Sequence, residues 1–206
     1  MKREIVSDKS TIDRIIDAAI PLFAMKGYAA VSVKELAQAA DVNIALISYY
    51  FGGKENLYAT VLKAQFVHVT EFIEVLTKED ASPIEKIRHF AQMAVEYHGK
   101  HPYTSYLIYG EIINPTVLFD QVVKKETSQG HRFLCKCIQE AIALGEFRSD
   151  LDPDYAALSL ISIIHFYFFT KHLSQGNLEP RENQAEYYIT QAVETYLYGV
   201  MRREDI

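Results

Sequence analysis

Apolar residues recur at Ile12, Ile15, Ile16, Ala19, Leu22 and Phe23, a spacing that places them on one face of a helix. Ser10 stands where an N-cap accepts from the first turn, and Asp13 where the helix dipole favours an acid. Lys26-Gly27-Tyr28 closes the run with a cation and then a glycine suited to a left-handed cap. Pro21 removes one backbone donor and predicts a kink near Asp17. Ser32-Val33-Lys34-Glu35 has the Ser-x-x-Glu form of a capping box and opens a short helix, Val33 to Ala40, with Leu36 and Ala37 inward. Asp41-Val42-Asn43 breaks the period before a second short helix, Ile44 to Tyr50. Gly52-Gly53 ends it, and one long helix is expected from Lys54 to Leu76.

The rest of the chain continues in helices near 84–98, 103–112, 116–145, 153–174 and 181–202. Pro83 fits a helix start, where its missing N–H costs nothing. Breaks fall at His101-Pro102, Asn114-Pro115, Gly145-Glu146-Phe147-Arg148 and Gly176 to Pro180. No segment sustains period-2 alternation, so the fold class is all-α without a sheet.

Two short helices joined by a tight turn form a helix-turn-helix pattern. Ala37 is small where the helices approach, Val42 and Ile47 are apolar where the second must pack back, and Asp41 tolerates a left-handed turn. The second helix would lie in a DNA major groove with its N-terminal residues at base edges. The net charge of −6 argues neither way. Residues 1–60 carry seven basic and seven acidic side chains, so the acidity lies wholly in the C-terminal part. Composition, 49% hydrophobic and 23% charged, is that of a globular chain. No charge-free apolar window reaches membrane-span length, and Met1-Lys2-Arg3-Glu4 leads into no apolar signal region. Cys135 and Cys137, the only cysteines, fit a reducing cytoplasm, so the expected location is cytoplasmic, with no membrane partner.

Three runs carry a more specific likeness: Ala18 to Tyr28, Ser32 to Ala37, and Val42 to Leu57 with Ser48-Tyr49-Tyr50-Phe51-Gly52-Gly53-Lys54 at its centre. Together, over about residues 10–60, they resemble the N-terminal module of the tetracycline-repressor (TetR) family. The segment Gly145 to Pro153 is similar to the turn before that family's dimerising helices. The resemblance implies a three-helix helix-turn-helix domain, residues 1–53, followed by a helical-bundle effector-binding and dimerisation domain, residues 54–206. It implies a homodimeric repressor that binds palindromic operator DNA and releases it when a small molecule binds.

On that pattern the DNA-binding residues are Ser32, Val33, Asn43, Ile44, Ala45, Ser48, Tyr49, Tyr50 and Lys54. Ser32 caps its helix and also meets phosphate, which helix N-termini attract. Lys54 opposes the dipole at the start of its helix, which favours a phosphate contact over a stabilising role. Tyr49 and Tyr50 point in different directions; both reach the backbone in the family pattern, and the alternative is one ring packed under the following helix. Ile44 and Ser48 depart from the lysine and tyrosine common in the family, which leaves few side chains for bidentate base readout.

The apolar run Leu158 to Phe169 suits a helix buried on several sides, and with Tyr187 to Tyr198 it suits a four-helix dimer interface. Tyr97, Tyr106, Tyr109, His131, His165 and Phe169 are the candidate lining of an effector pocket, although aromatic residues and a lone histidine are more often plain core. No paired Glu-x-x-His, Cys-x-x-Cys, phosphate-binding glycine loop or Gly-x-Ser-x-Gly occurs. The expectation is therefore no catalytic residue, no metal and no cofactor. The competing reading is a helical dimeric adaptor that never touches DNA, which salt-dependent DNA binding separates from the regulator.

Overall fold

The computed structural model describes residues 10–174 and 179–202. Its helices are α1 (Thr11–Lys26), α2 (Val33–Ala39), α3 (Ile44–Phe51), α4 (Lys54–Ala64), α5 (Val67–Lys78), α6 (Pro83–Lys100), α7 (Thr104–Ile113), α8 (Lys124–Ala143), α9 (Pro153–Thr170) and α10 (Gln184–Val200). Among the described residues the only β pairing is an isolated bridge between Phe147 and Met201. The all-α architecture follows, with the small N-terminal helices preceding a larger bundle.

Helix starts use the caps the sequence offers. Ser10, Ser32, Asn43 and Asp152 each accept from a backbone N–H of the first turn. The capping box expected at Ser32 is only half formed. Ser32 accepts from the Glu35 N–H, but the Glu35 carboxylate pairs with Lys26 instead of reaching back. The complete box belongs to Ser82 and Glu85, which bond reciprocally at the start of α6, with Pro83 in its first turn.

The single helix expected from Lys54 to Leu76 is two helices. Gln65 is buried, donates its side-chain amide to the Val61 carbonyl, and gives its own carbonyl to the Tyr97 hydroxyl. Thr104 donates to its amide oxygen. A tertiary polar network therefore claims groups that a continuous helix would use, and the chain turns at Gln65-Phe66. The helix expected over 116–145 likewise opens with a π-helical turn, Phe119–Val123, before α8. A 3₁₀ turn, Lys171–Ser174, ends the α9 segment. The expected break at Gly176 to Pro180 falls largely outside the described residues.

Two apolar cores result. One joins α1 to α4 with Leu107 of α7 and Leu118, Val122 and Val123 before α8. The other joins α5, α6, α8, α9 and α10 around Ile87, Leu134, Ile138, Leu160 and Val193. Residues 153–173 are long and apolar enough to cross a membrane by composition. In this fold Ala157, Leu160, Ile164 and Phe168 of α9 are instead buried in the second core.

Candidate nucleic-acid interface and an apolar cavity

The turn between α2 and α3 is held from three sides. Asp41 takes the left-handed conformation, φ 52°, and the Val42 N–H donates to the Ala37 carbonyl at 3.0 Å. The Arg14 guanidinium of α1 donates to the Ala40 and Asp41 carbonyls at 2.8 and 2.6 Å. Beneath the turn, Leu36, Ala37 and Ile47 are buried in the first core. With those side chains committed inward, α3 must present its other face to solvent.

That face carries Asn43, Ile44, Ala45, Ser48, Tyr49 and Tyr50, all exposed. Ile44 is 49% and Tyr49 78% accessible, a large apolar exposure for an eight-residue helix. Asn43 Oδ1 caps the Ala45 N–H at 2.9 Å, which leaves its amide NH2 outward. The Tyr49 and Tyr50 rings meet edge to face at 5.0 Å, and neither packs beneath α4. Phe51 supplies the inward contact instead. Ser32 is exposed, and Val33 is half-buried against the first core.

Lys54 is more committed than its sequence position suggests. Its Nζ donates to the Tyr28 and Val31 carbonyls, both at 2.9 Å, and lies 4.3 Å from the Tyr28 ring centre. It ties the α1–α2 connection to the start of α4, with one N–H left over. A further exposed cation, Lys34, lies in the first turn of α2. It stands beside the exposed Ser32, inside the Ser32-Glu35 motif.

A cavity of about 500 Å³ lies between α5, α6, α7, α8 and α9. Of the expected pocket residues, Tyr97, Tyr109, His131 and His165 line it. Tyr106 and Phe169 do not. Tyr106 sits a quarter turn off the lining face formed by Ser105, Ile108, Tyr109 and Ile112, and packs against Phe169 and His172. Phe169 stacks on Tyr109 at 4.7 Å and so backs the wall rather than facing the space. The missed lining includes Phe72, Met93, His98 and Ser105. His98, near the end of α6, is 5% accessible and stacked on Phe168. Its Nε2 lies 3.0 Å from His165 Nδ1. Burial pushes His98 down to about 2, assisted by His165, and burial also takes His165 down to about 4, so both rings are neutral near pH 7.

The cavity and the first core share α7. Its Ser105, Ile108, Tyr109 and Ile112 line the cavity, while Leu107 and Glu111 face the other way. Glu111, 1% accessible, accepts from the Tyr58 hydroxyl of α4 at 2.9 Å and from the Thr116 N–H and hydroxyl. Tyr58 in turn stacks on Tyr28 at 5.0 Å, the ring that carries Lys54. Burial and the Glu111 hydrogen bond raise the Tyr58 phenol far above its usual range, so it remains a donor. Both cysteines are buried and unbridged, and the described residues contain no group of three or more His, Cys, Asp or Glu fit for a metal.

Residues 15–61 match the family model for bacterial regulatory proteins of the tetR family. The transcriptional repressor NicS of Pseudomonas putida is 25% identical over 164 residues, covering 79% of this chain and 77% of NicS. YttP of Bacillus subtilis is 24% identical over 201 residues, 96% of this chain and 97% of YttP. Among solved structures, the hemolysin II transcriptional regulator HlyIIR is similar with a TM-score of 0.70 and 25% identity, covering 94% of this chain and 98% of that one.

Proposed function

We propose that the chain is a sequence-specific transcriptional repressor of the tetR kind, which its residues 15–61 match, and that it leaves its operator when a small molecule fills the cavity. The observation that carries this reading is the α3 face. Asn43 at its N-cap and five residues of α3 stand exposed on a short helix whose other side is locked into the first core. Such a helix fits the major groove.

Within the interface, Ile44 and Ala45 meet thymine methyls, while Ser48 and the outward Asn43 amide meet base edges or adjacent phosphates. Ser32, the backbone N–H of Val33, Tyr49 and Tyr50 hold the phosphates, joined by Lys34. Lys54 offers its remaining N–H to the same backbone while it holds the α1–α2 connection. Residues 1–53 act as the DNA-binding unit and residues 54–206 as the effector and dimerisation unit.

A second copy of the chain covers the exposed apolar faces of α9 and α10. Tyr155, Leu158 and Phe166 on α9 and Tyr187, Tyr188 and Tyr198 on α10 are all at least 40% accessible in the single chain. A twofold dimer matches two half-sites, which makes the operator a palindrome. The relatives are transcriptional regulators, and the protein acts in the cytoplasm as a regulator rather than an enzyme.

Release follows from α7. A ligand that prefers a wider cavity favours a shifted α7, and α7 holds α4 through Glu111 and Tyr58. The test is selection from a random duplex pool, followed by titration at two salt concentrations. A palindromic winner bound on the order of a thousandfold tighter than unrelated DNA supports the reading. Absence of enrichment rejects it.

A further inference from the structure

Besides the Tyr109 phenol, three groups of polar side chains stand around the cavity. Gln65, Tyr97, Thr104, Thr127, Ser128 and Ser162 bond to neighbours within the fold. The charged lining, Lys124 and Glu126, comes from the first turn of α8. There Lys124 is exposed and paired with Asp120, and Glu126 accepts from Gln129. His131, one turn further along, is bonded to the Asp154 carbonyl. The third group is His98 Nδ1 and Ser105 Oγ. Both are buried, both belong to lining residues, and neither has a hydrogen-bond partner. A buried polar atom left unpaired is costly, and a ligand that pairs it recovers that cost.

Resting on the reading of the cavity as the effector site, we infer that the effector is a neutral, lipophilic alcohol or phenol whose hydroxyl pairs with the unpartnered His98 Nδ1 or Ser105 Oγ. The volume lies within the range of small-molecule pockets, and the wall is apolar: Phe72, Phe90, Met93, Ile108 and Leu158 among others. A carboxylate or ammonium carried past the α8 end meets no countercharge, so desolvation opposes it. The hydroxyl is singled out by the histidine pair. One proton lies between His98 Nε2 and His165 Nδ1. If His98 donates it, His98 Nδ1 is a bare acceptor; if His165 donates it, His98 Nδ1 carries the other proton. A hydroxyl both donates and accepts and satisfies either tautomer, whereas a carbonyl satisfies one.

The experiment measures binding of two matched probe sets to the full chain at pH 7.5 by calorimetry. One set is 1-dodecanol, dodecane, dodecanoate and dodecyltrimethylammonium; the other is 2-naphthol, naphthalene and 2-naphthoate. In at least one set the hydroxyl compound is expected to bind tenfold or more tighter than the parent hydrocarbon and than the charged members. Ser105→Ala and His98→Phe, the latter retaining the stack on Phe168, should reduce the hydroxyl-to-hydrocarbon ratio to about twofold while hydrocarbon binding persists. Tighter binding of a charged member or of the hydrocarbon overturns the inference. So does an unchanged ratio in both variants, or failure of every probe to bind. Operator binding is followed in the same samples. Hydroxyl-selective binding without operator release retains this inference and rejects ligand-induced release; operator release by a charged probe does the reverse.

Discussion

The α3 face takes all its residues from one stretch, Asn43 to Tyr50, whereas the cavity draws a few residues from each of five helices between Gln65 and His165. The first surface is exposed and sets its chemistry by what it leaves uncovered. The second lies between helices, partly open to solvent, and holds two buried polar atoms left unpaired, His98 Nδ1 and Ser105 Oγ. A contiguous surface changes one residue at a time with little effect on stability. The cavity cannot throughout, because wall residues such as Phe90, Met93 and Ala94 also belong to the second core or pack against it.

The largest expected effect breaks the link between the two regions. Glu111→Ala strands the Tyr58 hydroxyl and two donors at Thr116, and should cost about 3 kcal/mol or more of stability. Tyr58→Phe removes only one of these bonds and is the cleaner probe. It should lower stability by about 1–2 kcal/mol in denaturant titration while weakening ligand-induced release more than operator affinity. Equal ligand coupling in Tyr58→Phe and parent would place the route elsewhere.

Next in size, Tyr49→Ala should weaken operator binding on the order of tenfold with an unchanged melting temperature, because the ring is mostly in solvent. A lowered melting temperature would make Tyr49 a structural residue and blur the contrast. The histidine pair predicts a pH dependence confined to the other region. The unfolded chain takes up protons near 6.5, whereas the folded pair does so only at about 4 and about 2. The unfolded state therefore binds more protons below about 6.5, and stability should fall as pH drops from there toward 4. His98→Phe should shrink that fall, read as melting temperature against pH; an identical slope in the variant would remove His98 from the account.

The smallest effect separates two lysines. Lys34→Ala should lower the salt slope of DNA binding by about one unit at constant stability. Lys54→Ala should instead reduce the melting temperature, since it deprives the Tyr28 and Val31 carbonyls of their donor. The reverse pattern would return Lys54 to a purely phosphate-binding role.

The contrast also explains how much was legible in the sequence. The two short helices, their Asp41 turn and the exposed face within Asn43–Tyr50 were readable because period, cap and breaker all lie within a few residues of one another. The break at Gln65 was not, because its cause is a bond to Tyr97, 32 residues away. Lys54 is expected at a phosphate from its place at a helix start, whereas its carbonyl partners on the α1–α2 connection are set only by tertiary packing. In the cavity, Tyr97, Tyr109, His131 and His165 were found as aromatic and titratable residues on middle helices. Tyr106 and Phe169, chosen by the same rule, fell behind the wall because a quarter turn or a stacked neighbour decides which face looks inward. His98 lies just before the break at His101-Pro102, where no local pattern signals burial; the fold buries it against Phe168.

The most direct test of the central claim compares the affinity of the full chain for its selected duplex with that for a scrambled duplex of the same length. Parent and the Ser48→Ala/Tyr49→Ala variant are measured at two salt concentrations. The account predicts a preference on the order of a thousandfold for the parent, largely lost in the variant, with a residual salt-dependent affinity for both duplexes. Equal affinities for the two duplexes in the parent, or an undiminished preference in the variant, would contradict the assignment of α3 as the element that reads DNA.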